Sequence, residues 1–500
     1  MGYSYYDYSY TTIYDLKRLA KKSTERLTKK GLILEPVHLV GNKIAKNWWG
    51  ISWINNLEKY SDYSNRLPRG KKYLKSDCIL DLKIKKGKIN AIVQGSSSKP
   101  YEVCVNIEVL NKEKIEDIVK LCENKIESIE QYQAHLISIL DTMKSYNMNT
   151  AVFQVRPCND AYYPSDINPW SKFITGTEGV NPGFDVLEFF IEEAKKREIK
   201  VHAWMNPYRV GIVDIRTLNM SKEEWLDTLS EKNWARLHKE HTVLDGVSKV
   251  ILAPSHPEVI EFVTESIMEV ARRYDVEGVH IDDYFYPYAK IPFEAEEADY
   301  LKYRESSEQS FDDFRRMNVD KMIKSVSDEL KKLYQETGKK VEFGISPFAV
   351  YRTHSSIVEN GWEKGSYNAA SALQCYSELY SDVYKWMAEG WIDYVVPQNY
   401  FSFERRDVAY HDVAWWWSNI CRETGTKLYM GQGIYHMGST EGWGYETWQN
   451  PEEINNQLKF NCNFENIEGT IFFTYKDLVP GKNAIKDEGL EKLKVLWNNK

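Results

Sequence analysis

From residue 150 onward the chain repeats one pattern: a short apolar run, a polar loop, then a longer stretch with apolar residues at helical spacing. The runs at 150–157, 200–209, 278–287, 341–348, 393–400, 427–435 and 469–475 read as strands. The stretches 185–197, 258–274, 312–337, 378–389, 413–424 and 451–462 read as the helices between them. Short apolar runs bounded by turn residues are buried strands, and strand–helix alternation makes a parallel sheet. The pattern therefore predicts an α/β chain, a (β/α)8 TIM-type barrel with seven recognisable strands where a closed ring takes eight. A doubly wound sheet is the lesser option, because no glycine-rich turn follows the first run. Helical spacing at 112–130 and again at 134–146 leads straight into that run.

Upstream the period changes to two. Residues 78–85, 89–95 and 101–107 alternate apolar and polar, with a turn at Lys86-Gly87-Lys88. They predict a small antiparallel sheet in an N-terminal α+β module. Residues 1–35 are polar, first Tyr-rich and then Lys-rich, and read as a partly helical lead-in or a disordered arm. The expected division is a lead-in at 1–35, a module at 36–130 and a barrel at 131–500.

Alternation along each barrel strand also assigns its faces. The run Gly278-Val279-His280-Ile281 ends in Asp282-Asp283-Tyr284-Phe285-Tyr286-Pro287. Barrels of this type carry their chemistry at the C-terminal ends of the strands, so Asp282 and Asp283 are the candidate catalytic pair. A simple cap is the bland alternative, but a cap needs one acid. Placing Asp282 inward turns His280 inward too, and sends Val279 and Ile281 to the helices. The same rule places Gln154 and Arg156 inside, then His202, Trp204 and Asn206, then Gly344 and Ser346, then Gln398 and Tyr400. His202 and His280 lie deeper and read as satisfied core groups. The candidate substrate-binding residues are Gln154, Arg156, Asp160, Trp204, Asn206, Tyr208, Tyr284, Gln398 and Tyr400. Arg156 is expected to pair with Asp282 or to hold a substrate oxygen. Asp160 is a second acid on the same rim, or a structural cap. Long loops at 288–311, 349–377 and 401–410, and a longer one after Arg209, fit a working mouth.

Composition sharpens this picture in three ways. The 16 Trp and 34 Tyr suit a cleft in which flat rings stack on sugar faces, although such rings also fill cores. A formal net charge of −8 speaks against a general nucleic-acid or membrane surface, and no apolar run reaches membrane-spanning length. The seven cysteines are scattered singly without a CxC or CxxC pair, so no zinc site of standard spacing is expected, and carboxylate chemistry of the kind considered below needs no cofactor. Dispersed thiols and an N-terminus without basic and apolar leader regions give a cytoplasmic location as the expectation.

Six motifs follow in order over 133–478: FQVRPCNDAYYPSDINPWSKFITGTEG, HAWMNPYRV, GVHIDDYFYP, FGISPF, GWIDYVVPQNYF and YMGQGIY. In these the chain resembles the glycosyl-hydrolase-like family 10 domain of bacterial, often lipid-anchored or exported, surface proteins. The resemblance implies a barrel glycosidase acting on a bacterial polysaccharide, with peptidoglycan glycan strands as a substrate and Asp282 and Asp283 at its centre. Members of that family open with an RGVW-type strand and a Trp-containing loop ahead of the helix matching 134–146. This chain has neither, which is the strand missing from the count. Either an N-terminal strand such as 103–110 fills the gap, or the barrel is open. An open barrel would suit a carbohydrate-binding or scaffold protein that has lost turnover. The segment 36–128, through WWG-x-x-W, RLPRGKKY and VQGSSSKPYEV, is similar to the N-terminal module of SWIM zinc-finger proteins. The CxC and CxH of that family are absent, so neither its metal nor a nucleic-acid role carries over.

Glycoside hydrolysis generally uses two carboxyl groups, about 5 Å apart for retention or about 6.5–9.5 Å apart for inversion. Adjacent Asp282 and Asp283 point to opposite sides of an ideal strand, so both reach a sugar only if the strand end bends. With such a bend, one Asp orients an acetamido group and the other acts as general acid, in substrate-assisted chemistry. The alternative is a conventional pair of Asp282 with a loop acid such as Asp160.

Overall fold

Period-two alternation upstream does produce an antiparallel sheet: β1 (Ile79–Lys85), β2 (Lys88–Val93) and β3 (Tyr101–Asn106), in that order. The computed structural model describes residues 12–39, 67–85, 88–106, 129–246, 248–354, 365–440, 442, 444–481 and 483–498. The chain divides into two units, Met1–Ile126 and Glu127–Lys500. In the first, α1 (Ile13–Lys29) is capped by Thr12, whose hydroxyl accepts the Asp15 N–H at 3.2 Å. Leu16, Ala20 and Ser23 recur at helical spacing and are buried. Leu16 and Ala20 pack with Cys78 and Leu80 of the sheet side. Ser23 donates to the Gln94 side chain at 2.7 Å, and Leu82 N donates to Glu35 O at 2.9 Å. The lead-in is thus helical over 13–29, and it packs and bonds with the module's sheet. The RLPRGKKY segment, read as a turn, is helical over α2 (Leu67–Lys75). Its proline falls in the first turn, where a missing N–H costs nothing. The WWG motif and most of the 112–130 stretch lie outside the described residues.

In the second unit, α3 (Ile129–Ser145) leads into a parallel sheet of seven strands. These are β4 (Thr150–Arg156), β5 (Lys200–Met205), β8 (Gly278–Ile281), β9 (Glu342–Ile345), β10 (Tyr394–Val395), β11 (Lys427–Gln432) and β12 (Ile467–Phe472), side by side in chain order. The intervening helices are α4 (Val186–Lys195), α5 (Pro257–Arg273), α6 (Phe311–Thr337), α7 (Val383–Ala388), α8 (Tyr410–Thr424) and α9 (Glu453–Asn461). The long loop after β5 contains a short antiparallel hairpin, β6 (Thr242–Leu244) and β7 (Val250–Leu252). Val279 and Ile281 of β8 pack outward with Val201, Ala203 and Met205 of β5 into the core beneath α5 and α6. Central β8 is buried along its whole length, whereas terminal β12 is half-buried at best.

The concave face holds a polar layer. The Tyr394 hydroxyl lies 2.7 Å from His202 Nδ1 and 3.0 Å from His280 Nδ1. Burial pushes the two imidazoles down to about 4 and about 3, so both are neutral at physiological pH. Glycine at 344 makes room for the phenol, since a Cβ there would sit 1.8 Å from Tyr394 Cζ.

Among the described residues no eighth strand is hydrogen-bonded between β12 and β4. The strand containing Val103 pairs with β2 in the N-terminal sheet instead, and 107–110 lie outside the described residues. A C-terminal helix that the apolar pattern did not disclose, α10 (Ala484–Asn498), joins the two edges. Tyr146, just ahead of β4, shares a buried cluster with Leu478, Leu490 and Leu493, against which Phe472 of β12 packs. The Tyr146 hydroxyl donates to Leu478 O at 3.0 Å, and Asn147 Nδ2 donates to Asn498 Oδ1 at 2.9 Å. The helix therefore couples the sheet edges by packing where, among the described residues, no strand pairs with both. Replacing Leu493 by Ala should lower the unfolding free energy by about 2–5 kcal/mol in urea melts. A loss below about 1 kcal/mol would show that α10 does not brace the edges.

Candidate active site

Strand β8 stops at Ile281, and the chain then leaves the sheet, carrying both acids into the mouth. The Asp282 carboxylate accepts from Trp204 Nε1 at 3.1 Å, Asn206 Nδ2 at 3.1 Å and the Tyr284 N–H at 3.2 Å. Trp204 and Asn206 come from the end of neighbouring β5. Asp283 turns the other way, accepting from the Tyr288 hydroxyl and the Gln398 side chain. Gln398 is itself held by a 3.0 Å bond from Nε2 to Ser346 O. The two acids are held towards different neighbours, Asp282 on the β5 side and Asp283 on the β9–β10 side.

Both carboxylates are buried, at 6 % and 5 % exposure. Burial raises Asp282, against the pull of the Arg209 charge and of its three hydrogen-bond donors. Burial and then the neighbouring Asp282 charge push Asp283 up to about 6, while Tyr288 and Gln398 act the other way. Both acids are thus easier to protonate than an ordinary carboxylate, Asp283 also through the neighbouring charge, while three donors support a charge on Asp282.

A wall of rings stands beside the acids. Tyr400 lies 5.9 Å from Phe473 in near-parallel planes, with Tyr435 at 6.1 Å and Trp204 at 6.4 Å from Phe473. Tyr284 and Tyr288 form an edge contact at 5.7 Å, and the Arg209 guanidinium lies over Tyr284 at 4.3 Å. A cavity of about 430 Å³ extends from Asn206, Tyr284 and Tyr288 beneath the β5–α5 loop. Tyr208 and Arg209 line it, and the buried Tyr208 hydroxyl has no hydrogen-bond partner among the described residues. Gln154 is half-buried and pairs in register with Trp204, one position along the concave face from the acids.

Two candidates are not brought to this site. The register of β4 against β5 slips between Gln154 and Arg156, so Arg156 pairs with outward-facing Met205. Its guanidinium lies over Phe262 of α5 at 5.3 Å and donates to Asn206 O at 2.6 Å and Asn159 Oδ1 at 2.7 Å. Arg156 holds the backbone that presents Asn206, and neither pairs with Asp282 nor faces the cleft. Asp160 accepts the Cys158 N–H at 2.9 Å and bonds Ser171, which folds its own loop. The cap reading of Asp160 is the one its contacts match, and it is no partner for Asp282. The residues not singled out beforehand are Arg209, Tyr288, Tyr435 and Phe473. Tyr288 follows the acids in an aromatic run, and Tyr435 ends the YMGQGIY motif, so both carried a usable signal.

A parallel α/β barrel sheet with a carboxylate pair and an aromatic wall at its mouth defines a glycosidase-like chain. The family model for Glycosyl hydrolase-like 10 matches residues 118–447, and the chain belongs to that family. It is 36% identical over 363 residues to a protein named glycosyl hydrolase YngK of Bacillus subtilis, covering 72% of this chain and 66% of that one. It is 36% identical over 349 residues to glycosyl hydrolase DigH of Escherichia coli K12, covering 68% of this chain and 75% of that one. The chain thus spans about two thirds to three quarters of these relatives. The catalytic domain of a Paenibacillus polymyxa β-amylase overlaps 74% of this chain and 95% of its own, at 10% identity and a TM-score of 0.42.

Removing the Tyr288 hydroxyl takes away a donor to charged Asp283. Tyr288→Phe should therefore raise the Asp283 pKa further, read by pH titration of carbon-13-labelled aspartate in NMR. An unchanged or lowered value would remove Tyr288 from the site's electrostatics.

Proposed function

We propose that this chain is a glycoside hydrolase cleaving an N-acetylated glycan, of the kind that forms peptidoglycan strands. Asp283 is the general acid and Asp282 the carboxylate that orients the acetamido group. The observation that carries this reading is the adjacent buried pair, with one member pushed to about 6 and the other surrounded by donors. Membership of a family whose relatives bear glycosyl hydrolase names supports it.

In this scheme the acetamido carbonyl oxygen of the bound sugar attacks its own anomeric carbon. Asp283 gives its proton to the departing glycosidic oxygen, and the C–O bond breaks. Charged Asp282 accepts the acetamido N–H and stabilises the positive charge that develops on nitrogen. Asp283, now a carboxylate, takes a proton from the water that opens the cyclic intermediate, so the configuration is retained. The rings of Tyr400 and Phe473 offer a stacking surface, and the cavity past Asn206 accommodates a neighbouring sugar. Gln154, Gln398, Tyr208 and Tyr284 are candidates to hold its oxygens. This scheme calls for no cofactor. The N-terminal unit is read as an accessory domain without a nucleic-acid role, which salt-dependent binding to DNA or RNA would contradict.

The test is incubation with peptide-free peptidoglycan strands and mass-spectrometric detection of released saccharides. Asp282→Asn and Asp283→Asn should each lower release by about 10²–10⁴-fold. The rate should fall as pH rises above about 6, as Asp283 loses its proton. Binding without release, indifferent to both substitutions, would mark a carbohydrate-binding protein instead.

The same shift carries a stability cost of definite sign. Asp283 is raised in the folded chain, so between the unfolded carboxylate value and about 6 the folded state binds more protons. Stability accordingly falls as pH rises through that window. Asp283→Asn should relieve it, raising the unfolding free energy at pH 7–8 by about 1–3 kcal/mol and having little effect near pH 3–4. A neutral-pH loss of stability would contradict this.

A further inference from the structure

Outside the carboxylate site, the insertion after β5 gathers imidazoles and acids. His241 stands just ahead of β6, His256 is the N-cap residue of α5, and Glu258 lies in the first turn of that helix. His241 Nδ1 and His256 Nδ1 are 3.0 Å apart. The other nitrogen of His256, Nε2, lies 3.1 Å from Asp299 Oδ2, and Ser255 Oγ donates to the same oxygen at 2.6 Å. One potential ligand atom from each of His241, His256 and Glu258 lies within 4.8 Å of the others.

The tautomers follow from these contacts. A neutral His256 that donates from Nε2 to Asp299 has only a lone pair at Nδ1, aimed at His241. Imidazole backed by a carboxylate is how proteins fix the ring of a metal-binding histidine. A separation of 3.0 Å is near the edge of a tetrahedron of zinc ligands, about 3.3 Å for bonds of about 2.0 Å. The ring of His241 is also positioned before any ion arrives: Trp234 stacks on it at 5.5 Å and on Phe262 of α5 at 4.6 Å.

We propose that His241, His256 and Glu258 form a binding site for a divalent transition-metal cation of the zinc class, with Asp299 orienting His256. The ion joins the start of the β6–β7 hairpin to the start of α5. It braces the insertion whose Arg209-to-Ile251 portion lines the cavity beside the acids. It takes no part in bond cleavage, so the site stands whether or not the chain hydrolyses glycans. Cysteine spacing could not reveal it, because its ligands are histidines fifteen residues apart in sequence.

The experiment uses the untagged full chain with its thiols alkylated, because Cys104 and Cys462 are exposed and could bind metal on their own. Zinc affinity is measured by calorimetry, and cobalt(II) supplies a visible spectrum that reports nitrogen and oxygen ligation. One equivalent of zinc bound more tightly than about 1 µM is expected. His241→Gln and His256→Gln should weaken it by at least about 100-fold, and Asp299→Asn by about 10–100-fold while keeping one-to-one binding. Circular dichroism of each variant confirms that it is folded. Wild-type binding weaker than about 1 µM, or equal affinity in folded histidine variants, would leave an ordinary hydrogen-bonded histidine pair and overturn the proposal.

Discussion

Two carboxylates on consecutive residues, both buried, set the terms for the mouth of this barrel. Like charges on neighbouring side chains repel, and burial makes each charge costlier still. The structure separates their demands. Asp282 has indole, amide and backbone donors on one side, while Asp283 has a phenol and an amide on the other and is pushed up to about 6. Much of the surrounding architecture serves that separation. Strand β8 is buried along its length and ends at Ile281, so both acids lie where the chain leaves the sheet. Arg156 clamps the backbone at Asn206, and the Tyr394 layer fills the sheet's hollow below.

Among the described residues the sheet achieves this with seven strands. An unpaired strand edge needs cover, and on the β12 side that cover is the packing of α10 against Tyr146 and Phe472. The acids directly follow central β8, which is four positions from β12 in the strand order and has β5 and β9 as direct neighbours. The donors that define the pair come from β5, the β8–α6 loop and the end of β10, so none of them depends on a strand in the open position.

The sequence was most informative where side-chain alternation persists. Asp282, Trp204, Asn206 and Gln398 converge as counting along strands suggested, and His202 and His280 are core groups held by Tyr394. Arg156 escaped that logic because one extra residue before it reverses its face, and a register slip leaves no mark in an apolar pattern. Asp160 escaped because its partners, the Cys158 N–H and Ser171, are set by loop folding. Three-residue strands such as β6 and β7 are too short to show a period, and the role of α10 depends on residues more than three hundred positions away. The pairing of His241 with His256 likewise exists only once the hairpin between them has formed.

The central claim is that Asp282 and Asp283 act on one N-acetylated sugar from a shared mouth. A crystal structure of the Asp283→Asn chain soaked with a peptide-free peptidoglycan tetrasaccharide tests it most directly. The account predicts an acetamido N–H on the Asp282 carboxylate and the glycosidic oxygen within hydrogen-bond reach of the side chain at 283. A pyranose face should rest against Tyr400 or Phe473. A saccharide bound away from both acids, or with its acetamido group turned from Asp282, would contradict the account.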